Sequence, residues 1–374
     1  MRIIFTGGGT GGHVFPIIAL AREIKKLRPD FQLYYVGPKD DWGAFYLSQE
    51  GIKVRTILAG KIRRYWSFKS VFQNLIDVVI KTPLGFFQSF FYIFFLFPDL
   101  IFSKGGYGAF PTSVAGWMMR TPIILHESDI VPGLTNRLIG RIAIEIFASF
   151  PVEETQHFPL KKMISAGNPI REKILGGSRE EAQRIFGLTK EKSLVLILGG
   201  SQGSQRINDL VLNILPLFLD NFQVIHQVGH KNLETVTAEA SVMVQDPLKK
   251  GYHIFPFLDE NELKHALKSC DFVVSRAGSG TIFETAASKK PSILIPLPES
   301  AQNHQIENAY AYQRTGACQV IEEENLTPHF FLERLKYFLS SPNRLKEMSV
   351  AAERFSRSRA GEVIAKYVVE YLIS

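Results

Sequence analysis

Short apolar runs alternate with longer amphipathic segments along most of the chain, and this pattern predicts parallel strands joined by helices. In the first half of the sequence, strands are predicted at 2–6, 32–36, 99–103, 122–125 and 147–150. In the second half, strands are predicted at 194–198, 223–228, 253–257, 271–275 and 292–295. Continuous apolar runs are typical of strands buried on both faces of a sheet. We therefore predict an α/β fold with two open, doubly wound parallel sheets.

Glycine-rich turns follow several of these strands. The turns lie at 7–12, 105–108, 199–204 and 276–280, and helices are predicted from about 13, 205 and 281. The first amides of a helix lack backbone partners and the helix dipole favours an anion there, so such turns suit phosphate groups. Open α/β sheets bind ligands at the carboxyl ends of their strands. The pattern therefore predicts a ligand that carries phosphate.

The first of these turns leaves two interpretations open. Gly7, Gly9 and Gly12 have the spacing of a dinucleotide-binding fingerprint, which also requires an acidic residue after the second strand to hold a ribose. That strand ends in glycine and proline at 37–38, without the acidic residue. A plain strand–turn–helix connection explains the glycines equally well. His13 follows them directly, and a histidine at a helix start needs no chemical role.

The turn after 271–275 also has two interpretations. Thr281 and Glu284 have the spacing of a capping box, in which the glutamate bonds only backbone amides. Alternatively, Glu284 lies in the first turn of the helix and reaches the hydroxyl pair of a sugar beside a bound phosphate. The polar segment 296–308, which carries amides and a histidine after the next strand, favours this second interpretation.

The length of 374 residues, 45% of them hydrophobic, allows two domains with complete cores. We predict an N-terminal domain at 1–163 and a C-terminal domain at 164–354. The last helix is predicted at 344–372 with a break near 356–360, and its end, from about 355, is expected to pack back on the first domain.

The net charge of +7 suits an anionic partner such as a nucleotide or an acidic lipid surface. No cluster of lysine and arginine is dense enough to predict nucleic acid binding. Cys270 and Cys318 lack the spacing of a metal site, so we expect buried free thiols in a reducing cytosol. The chain starts directly with a predicted strand, so we expect no secretory signal.

The segment 84–97, LGFFQSFFYIFFLF, is rich in phenylalanine and bounded by prolines. It is shorter than the about 20 apolar residues that a membrane-spanning helix needs. We expect a helix buried in the core, and the alternative is a peripheral membrane face. The nearby loop 61–69 mixes basic and aromatic residues, and we expect it to contact an anionic bilayer. These residues are Lys61, Arg63, Arg64, Tyr65, Trp66, Phe68 and Lys69.

Seven motifs occur in one order along nearly the whole chain. They are GGGTGGHVFP (7–16), KGGYGAFP (104–111), HESDIVPGLTNR (126–137), GNPIR (167–171), GGSQGSQRIN (199–208), SRAGSGTIFE (275–284) and HQIENA (304–309). Together they resemble the MurG family, bacterial N-acetylglucosaminyltransferases that convert lipid I to lipid II in peptidoglycan synthesis. The resemblance implies a GT-B fold, in which two Rossmann-like domains face each other across a cleft. It also implies UDP-N-acetylglucosamine (UDP-GlcNAc) as donor and lipid I as acceptor.

The resemblance further implies roles for residues at matching positions. Arg171 and the backbone near Leu258 would contact the nucleoside. Ser201 would meet the diphosphate, and Glu284 would hold the ribose hydroxyls. The other residues implied to bind the donor are Thr10, Gly11, Gly12, Ser279, Gly280, Thr281, Ile282 and Phe283, with His304 and Gln305 at the sugar hydroxyls. The acceptor diphosphate would be cradled by Gly105, Gly106 and Tyr107 together with the first glycine loop.

The implied reaction is a displacement at the anomeric carbon with UDP as the leaving group. It needs hydrogen-bond donors at the diphosphate and one base for the attacking hydroxyl. His13 is the implied candidate base, because histidine titrates near neutral pH. Helix N-termini can supply the donors, and the sequence has no Asp-x-Asp motif. We therefore expect neither a metal nor a cofactor.

The chain departs from the family at 126–129, where His-Glu-Ser-Asp stands in place of the usual His-Glu-Gln-Asn. An ionised aspartate only accepts hydrogen bonds, whereas asparagine also donates them. If Asp129 faces the sugar, its hydrogen bonding must differ from that of the family. A role for Asp129 in base chemistry beside His13 is a hypothesis.

Three alternatives keep the same nucleotide contacts. They are a transferase of the same fold with a lipid acceptor such as diacylglycerol, a UDP-GlcNAc 2-epimerase, and a nucleotide-binding module without activity. Gly105, Gly106, Tyr107 and the GLTN motif favour the lipid-linked transferase. The resemblance implies a peripheral location on the cytoplasmic face of the bacterial inner membrane, with partners among cell-wall synthesis and division proteins.

Overall fold

The computed structural model of the protein describes residues 1–8, 11–61, 63, 67–155, 157–189, 191–246 and 248–374. The chain forms two compact units. The N-unit comprises Met1–Arg171 and Ser358–Ser374, and the C-unit comprises Glu172–Arg357. Each unit has its own parallel sheet and its own hydrophobic cores. The prediction of an α/β fold with two parallel sheets is confirmed.

The sheet of the N-unit has seven parallel strands in the order β3-β2-β1-β4-β5-β6-β7. They are β1 (Arg2–Thr6), β2 (Gln32–Pro38), β3 (Lys53–Ile57), β4 (Leu100–Ser103), β5 (Ile123–Glu127), β6 (Glu145–Ala148) and β7 (Met163–Ser165). The strand order reverses between β1 and β4, which pair directly. In open sheets the loops that follow the strands at such a reversal are where ligands bind.

Helices cover both faces of this sheet. They are α1 (Gly11–Leu27), α2 (Asp41–Gln49), α3 (Phe68–Ile76), α4 (Thr82–Leu96), α5 (Phe110–Met118), α6 (Leu134–Ile142) and the C-terminal α16 (Ala360–Ile373). The apolar side chains of α16 share a core with α1 and β1.

The sheet of the C-unit has six parallel strands in the order β10-β9-β8-β11-β12-β13. They are β8 (Ser193–Leu198), β9 (Phe222–Gln227), β10 (Tyr252–Phe255), β11 (Phe272–Ser275), β12 (Ser292–Leu294) and β13 (Cys318–Val320). The helices are α7 (Arg179–Phe186), α8 (Gln205–Asn213), α9 (Leu215–Asn221), α10 (Leu233–Met243), α11 (Glu260–Ser269), α12 (Ser279–Ala287), α13 (His304–Arg314), α14 (Pro328–Leu339) and α15 (Pro342–Phe355). Cys270 and Cys318 are buried free thiols, as predicted.

The differences from the predicted elements have local causes. β10 ends at Phe255 because Pro256 has no N–H to continue the ladder. β3, β7 and β13 were not predicted. β3 is largely exposed and lacks an apolar run, while β7 and β13 have only three residues each. The predicted break in the last helix is confirmed, since α15 ends at Phe355 and α16 begins at Ala360.

The expectation that the phenylalanine-rich helix is buried is wrong. α3, a π-helical turn at Asp77–Lys81 and α4 follow one another without a break, and Ser70–Leu96 is long and apolar enough to cross a membrane by length and composition. α4 buries only Gly85, Ser89 and Ile93. Phe86, Phe90 and Leu96 are half-buried against the core of the N-unit. The exposed apolar side chains of α4 form the surface called here the phenylalanine face: Leu84, Phe87, Phe91, Phe94 and Phe95.

Candidate functional site

In the N-unit, the loops after β1 and β4 meet around the ring of His13. A Cβ atom built on Gly106 would lie 3.0 Å from His13 Nε2, and one built on Gly8 would lie 3.1 Å from His13 Nδ1. His13 is the third residue of α1, and its ring occupies the space that side chains at these two glycines would fill. The structure therefore places the candidate base against the loop predicted to bind the acceptor.

The conformation of the loop after β4 is set by an amide from α6. Gly105 and Gly106 have φ angles of 82° and 77°, which residues with a side chain rarely adopt. Asn136 Oδ1 accepts a hydrogen bond from the Gly106 N–H at 3.2 Å, and Asn136 Nδ2 donates to Glu127 Oε2 at 2.6 Å. A Cβ atom on Gly105 would lie 2.0 Å from the Asn136 side chain. Gly105 is therefore required by the Asn136 side chain, and both glycines suit the positive φ angles of this loop. Tyr107 follows them, half-buried, in a short 3₁₀ turn.

Charged side chains are buried at the ends of β4 and β5. Glu127 is 3% exposed, and its Oε1 accepts from the Asp129 N–H at 2.9 Å. Lys104 is 2% exposed, and its Nζ donates to Ser128 Oγ. Charged groups are rarely buried unless they are paired. This edge of the sheet therefore holds a compact set of opposite charges.

Burial shifts the pKa values of Lys104, Glu127 and the neighbouring His126. Desolvation lowers the pKa of Lys104, against the attraction of Glu127 and Asp129. Desolvation, aided by Asp129, raises the pKa of Glu127. His126 Nε2 lies 3.0 Å from the Gly167 carbonyl, and desolvation together with the charge of Lys104 holds the pKa of His126 well below its usual range. Buried groups of shifted pKa are typical of sites that carry out proton transfer.

In the C-unit, α12 begins directly after the turn that follows β11. Within the part of the chain that the structure describes, no side chain caps this helix at its N-cap residue, Gly278. Cβ atoms built on Gly278 and Gly280 would meet nothing within 4 Å. The first amides of α12 therefore open onto unoccupied space, which is the arrangement that favours an anion.

The capping-box interpretation of Thr281 and Glu284 is wrong. Because α12 begins at Ser279, Thr281 is its third residue and Glu284 its sixth, so Glu284 lies in the second turn and not in the first as predicted. Ile282 and Phe283 are buried in the core of the C-unit. Only the backbone of these two residues can therefore meet a ligand at the helix end.

The turn after β8 is held by Gln227, the last residue of β9. Its Nε2 donates to the Gly200 carbonyl at 2.9 Å, and its Oε1 accepts from the Leu258 N–H at 3.0 Å. Leu258 is buried, and its N–H is thereby satisfied. Because this N–H already has a partner, the predicted backbone contact with the nucleoside must come from the Leu258 carbonyl or from neighbouring residues. Ser201 is exposed in the same turn.

Arg276 connects the loops after four strands of the C-unit. Its guanidinium donates to Ser204 Oγ at 2.6 Å and to the carbonyl oxygens of Ile295 and Pro296 at 3.2 and 3.3 Å. It also pairs with the buried carboxylate of Glu323 at 2.5 Å. The planar guanidinium presents five donors in fixed directions, which suits several acceptors at once. Arg276 therefore braces the loops around the start of α12.

The remaining predicted residues have defined places in each unit. Gln305, near the start of α13, accepts through Oε1 from the Leu297 N–H at 3.1 Å, and His304 is the first residue of that helix. The Arg171 guanidinium lies 3.9 Å from the ring centre of Phe15 on α1. Gly11 and Gly12 open α1. Thr10 and the loop residues Arg64, Tyr65 and Trp66 lie outside the described residues.

The N-unit thus holds His13, Gly105, Gly106 and Asp129, together with three residues implied to bind the donor, Gly11, Gly12 and Arg171. The other described residues implied to bind the donor lie in the C-unit. Among the described residues, no group of three His, Cys, Asp or Glu side chains could hold a metal ion.

Sequence reasoning missed Lys104, Asn136 and Gln227 as site residues. Lys104 directly follows an apolar strand and precedes a glycine-rich turn, and Gln227 ends an apolar strand. Long polar side chains at the buried end of a strand need partners, so they mark places where loops are held together. That signal is present in the sequence for these two residues. Asn136 lies within the GLTN motif.

Comparison with known proteins follows this division into two units. Residues 3–148 match the glycosyltransferase family 28 N-terminal domain, and residues 194–364 match the glycosyltransferase family 28 C-terminal domain. A Bacillus cereus protein named UDP-N-acetylglucosamine--N-acetylmuramyl-(pentapeptide) pyrophosphoryl-undecaprenol N-acetylglucosamine transferase 2 is 34% identical over 371 residues, 99% of each chain. A Clostridium kluyveri protein of the same name, without the number, is 36% identical over 98% of this chain and 99% of its own length.

Solved structures share the fold. The crystal structure of Acinetobacter baumannii MurG has a TM-score of 0.73 and 23% identity over 99% of both chains. A UDP-GlcNAc 2-epimerase from Neisseria meningitidis, bound to UDP-GlcNAc, has a TM-score of 0.68 and 14% identity over 99% of this chain and 100% of its own. These likenesses confirm the GT-B fold class.

Proposed function

Because the chain belongs to the family of UDP-N-acetylglucosamine--N-acetylmuramyl-(pentapeptide) pyrophosphoryl-undecaprenol N-acetylglucosamine transferases, we propose that it transfers N-acetylglucosamine from UDP-GlcNAc to lipid I. The acceptor is the 4-hydroxyl of the N-acetylmuramyl sugar, and the product is lipid II. The observation that carries this proposal is the position of His13 against Gly8 and Gly106, at the edge of the N-unit sheet where ligands of open sheets bind.

The donor side of the proposal rests on the C-unit. The uncapped start of α12 offers amides to the diphosphate of UDP-GlcNAc, with Ser201 in the neighbouring glycine turn as a further donor. Glu284, half-buried on the same helix, accepts from the ribose hydroxyls. Donors already aimed at the diphosphate stabilise the negative charge that grows there as UDP leaves. We infer that no metal is needed for this step.

The acceptor side rests on the N-unit. His13 takes the proton of the acceptor hydroxyl while that oxygen bonds to the anomeric carbon and the bond from this carbon to UDP breaks. The attack comes from the face opposite to UDP, so the configuration at the anomeric carbon inverts. The loop that holds Gly105, Gly106 and Tyr107 lies beside the imidazole at Gly106 and meets the acceptor diphosphate. The N–H groups of Gly105 and Gly106 donate to Ser103 Oγ and Asn136 Oδ1, so the N–H of Tyr107 is the amide that this loop offers to the diphosphate.

The test is UDP release from UDP-GlcNAc, measured with and without a short-chain lipid I analogue and in the presence of a chelator. We expect release that requires the acceptor, survives the chelator and yields a product one N-acetylglucosamine heavier. Release without acceptor, or interconversion of UDP-GlcNAc with its 2-epimer, would contradict the proposal and favour an epimerase.

We further propose that the N-unit binds peripherally to the cytoplasmic face of the bacterial inner membrane, where lipid I and other cell-wall synthesis proteins would be met. The support is the phenylalanine face, because its side chains are exposed on α4. The opposite side of α4 packs on α5, where Ser89 Oγ lies 3.1 Å from Thr112 Oγ1. A helix with an apolar outer face and adjacent cations suits the surface of an anionic bilayer.

Cations are fixed at the start of this helix by one buried carboxylate. Asp77, in the π-helical turn, pairs with Arg63 at 2.7 Å and with Lys81 at 2.5 Å. Desolvation would raise the pKa of Asp77, but the hydrogen bonds from Lys81, Arg63 and the Lys61 N–H together hold it below its usual value. Gly60 permits the close approach of the basic loop, since a Cβ atom there would lie 2.1 Å from the Asp77 carbonyl.

The membrane proposal is tested by sedimentation with vesicles of phosphatidylglycerol or phosphatidylcholine. Replacing Phe91 and Phe95 together by serine should reduce binding to phosphatidylglycerol vesicles about tenfold or more, because two large apolar side chains no longer enter the bilayer. The matched control is Phe330→Ser, which changes an exposed phenylalanine on α14 of the C-unit. Equal losses in both variants, or no loss in either, would contradict the proposed surface.

A further inference from the structure

Glu127, the last residue of β5, connects two loops of the N-unit through one buried carboxylate. Its Oε1 accepts from the Asp129 N–H at 2.9 Å, in the turn that follows β5. Its Oε2 accepts from Asn136 Nδ2 at 2.6 Å, and Asn136 Oδ1 accepts from the Gly106 N–H at 3.2 Å in the loop that follows β4. The carboxylate therefore holds the first loop directly and the second through an amide of α6.

The directions of these hydrogen bonds follow from the backbone groups at their ends. A backbone N–H only donates, so the Gly106 N–H faces the oxygen of the Asn136 amide. The NH2 group of that amide then faces Glu127, which must accept. The Asp129 N–H also donates, so both oxygens of Glu127 serve as acceptors. A carboxylate meets this requirement, whereas a glutamine at this position would present an NH2 group to one of the two donors.

The carboxylate and its partners are fixed in the interior of the N-unit. Glu127 and Asn136 are both buried. The backbone carbonyl of Glu127 accepts from the N–H and the Oγ of Ser149 at 2.9 and 3.0 Å, so the residue itself does not shift. Leaving a buried charged group or its donor without a partner costs more than the hydrogen bond alone contributes.

The loop that Asn136 holds is the one that lies against the candidate base. A Cβ atom built on Gly106 would lie 3.0 Å from His13 Nε2. The Gly106 carbonyl accepts from the Ala109 N–H at 3.0 Å, so both polar backbone groups of Gly106 have partners. The Tyr107 N–H belongs to the same planar peptide unit as the Gly106 carbonyl, and its direction is therefore fixed as well.

We infer that Glu127 is a positioning residue for the acceptor side of the site, acting on the loop after β4 through Asn136. It holds this loop in the conformation in which Gly106 lies against the candidate base and the Tyr107 N–H faces the acceptor diphosphate. The inference rests on the proposed function. Glu127 is not itself a catalytic residue, because its two oxygens are used by N–H donors of the protein.

The experiment exchanges the two side chains. Glu127→Gln places one NH2 group against another N–H donor, and Asn136→Asp places one carboxylate against another. The double variant that combines both changes reverses the hydrogen bond. The new glutamine donates to the new aspartate, whose second oxygen still accepts from the Gly106 N–H. The number of charges is the same as in wild type.

The first readout is amide hydrogen exchange at Gly106, which does not depend on activity. We expect exchange about tenfold or more faster in each single variant, because the acceptor of this N–H is no longer held in place. In the double variant the exchange should slow again. Exchange as slow as in wild type in both single variants, or no slowing in the double variant, would overturn the inference.

The second readout is acceptor-dependent UDP release. We expect kcat/KM for the lipid I analogue to fall about tenfold or more in each single variant and to be about fivefold or more higher in the double variant than in either. The KM for UDP-GlcNAc should stay within about twofold, because the contacts proposed for the donor in the C-unit are unchanged. Losses that multiply in the double variant, or equal losses for the two substrates, contradict a positioning role.

Ser89→Ala is the matched control for a simple loss of stability. It removes a buried side-chain contact between α4 and α5, where Ser89 Oγ lies 3.1 Å from Thr112 Oγ1. We expect a lower melting temperature with unchanged kcat/KM. A fall in kcat/KM equal to that of Glu127→Gln would show that lost stability alone explains the effect.

If Glu127→Gln does not fold, as judged by its melting temperature, Asn136→Ala carries the test. This variant leaves Glu127 in place and removes its link to Gly106. Faster exchange at Gly106 together with a lower kcat/KM for the lipid I analogue supports the inference. Unchanged exchange and unchanged kcat/KM overturn it.

The proposed function can fail separately. Wild-type protein that shows no acceptor-dependent UDP release refutes the function itself, while slow Gly106 exchange restored in the double variant would still show that Glu127 holds the loop. Wild-type protein that is active while Glu127→Gln matches it in kcat/KM and in Gly106 exchange refutes only the role of Glu127.

Discussion

The carboxyl edges of the two sheets differ in what they bury, although the two strand orders correspond. In the N-unit the edge buries Lys104, Glu127 and His126, each with a shifted pKa. In the C-unit the buried ion pair is Arg276 with Glu323, and the feature left open is the start of α12. The first edge buries ionisable groups with shifted pKa values, and the second offers the open start of α12. We propose that acid–base chemistry belongs to the N-unit and binding of the donor diphosphate to the C-unit.

The largest expected effect comes from removing the candidate base. His13→Ala should lower kcat about 10²- to 10⁴-fold, because the acceptor hydroxyl then lacks a group to take its proton. The KM for UDP-GlcNAc should change little, since the donor contacts proposed at α12, Ser201 and Glu284 are unchanged. Steady-state kinetics with the lipid I analogue measures both. A kcat within a few-fold of wild type would remove His13 from the chemistry.

The next largest effect tests whether Arg276 holds the loops of the C-unit together. Arg276→Met leaves the carboxylate of Glu323 buried, with the exposed Arg206 as its remaining ion-pair partner among the described residues, and should lower the free energy of unfolding by about 3 kcal/mol. Urea denaturation measures the loss. Arg206→Met is the matched control, because it removes the exposed partner of the same carboxylate and should cost much less. Equal costs would show that Arg276 is not the brace.

Glu284→Gln should raise the KM for UDP-GlcNAc about 10- to 100-fold with little change in kcat, because a charged acceptor of the ribose hydroxyls is lost. A donor that lacks the ribose 2′-hydroxyl is the matched control. It should bind wild type more weakly by a similar factor and show little further loss with the variant. Independent, additive losses would place Glu284 away from the ribose.

A smaller effect concerns pH and stability in the C-unit. Burial lowers the pKa of His226 to about 3, and its Nδ1 lies 2.8 Å from the Tyr252 hydroxyl. Because the unfolded chain binds this proton near pH 6.5 and the folded chain does not, the stabilisation is present above pH 6.5 and is lost as the pH falls toward 3. The contribution lost between pH 6.5 and pH 5 is up to about 2 kcal/mol.

The variant His226→Gln keeps a polar side chain that does not titrate. Urea denaturation between pH 6.5 and pH 5 should show a shallower loss of stability in this variant than in wild type. A steeper or unchanged loss would contradict the assignment of that pH dependence to His226.

Much of the fold follows from local sequence patterns. Apolar runs predicted ten strands, because parallel strands are buried on both faces. The glycine turns predicted the sheet edges at which both candidate sites lie. The start of α12 was misplaced by two residues because Ser279 and Gly280, small residues typical of turns, form its first helical positions. The phenylalanine-rich helix was placed in the core because its composition alone does not distinguish burial in protein from exposure.

The long-range contacts could not be predicted. Nothing in the sequence pairs Lys104 with Ser128, or Arg276 with Glu323, since each pair joins loops brought together only by strand order. In the sequence, Lys104 is simply the first residue of a glycine-rich motif. Its burial follows from the pairing of β4 with β5, which only the structure shows. The residues that bear the chemistry were therefore more accessible from sequence than the residues that position them.

The division between the two edges is tested most directly by titrating UDP into His13→Ala and Glu284→Gln with calorimetry. We predict that His13→Ala binds UDP as wild type does although it no longer turns over, and that Glu284→Gln binds UDP about 10- to 100-fold more weakly. Loss of UDP binding in His13→Ala together with unchanged binding in Glu284→Gln would contradict the assignment of proton chemistry to one unit and donor binding to the other.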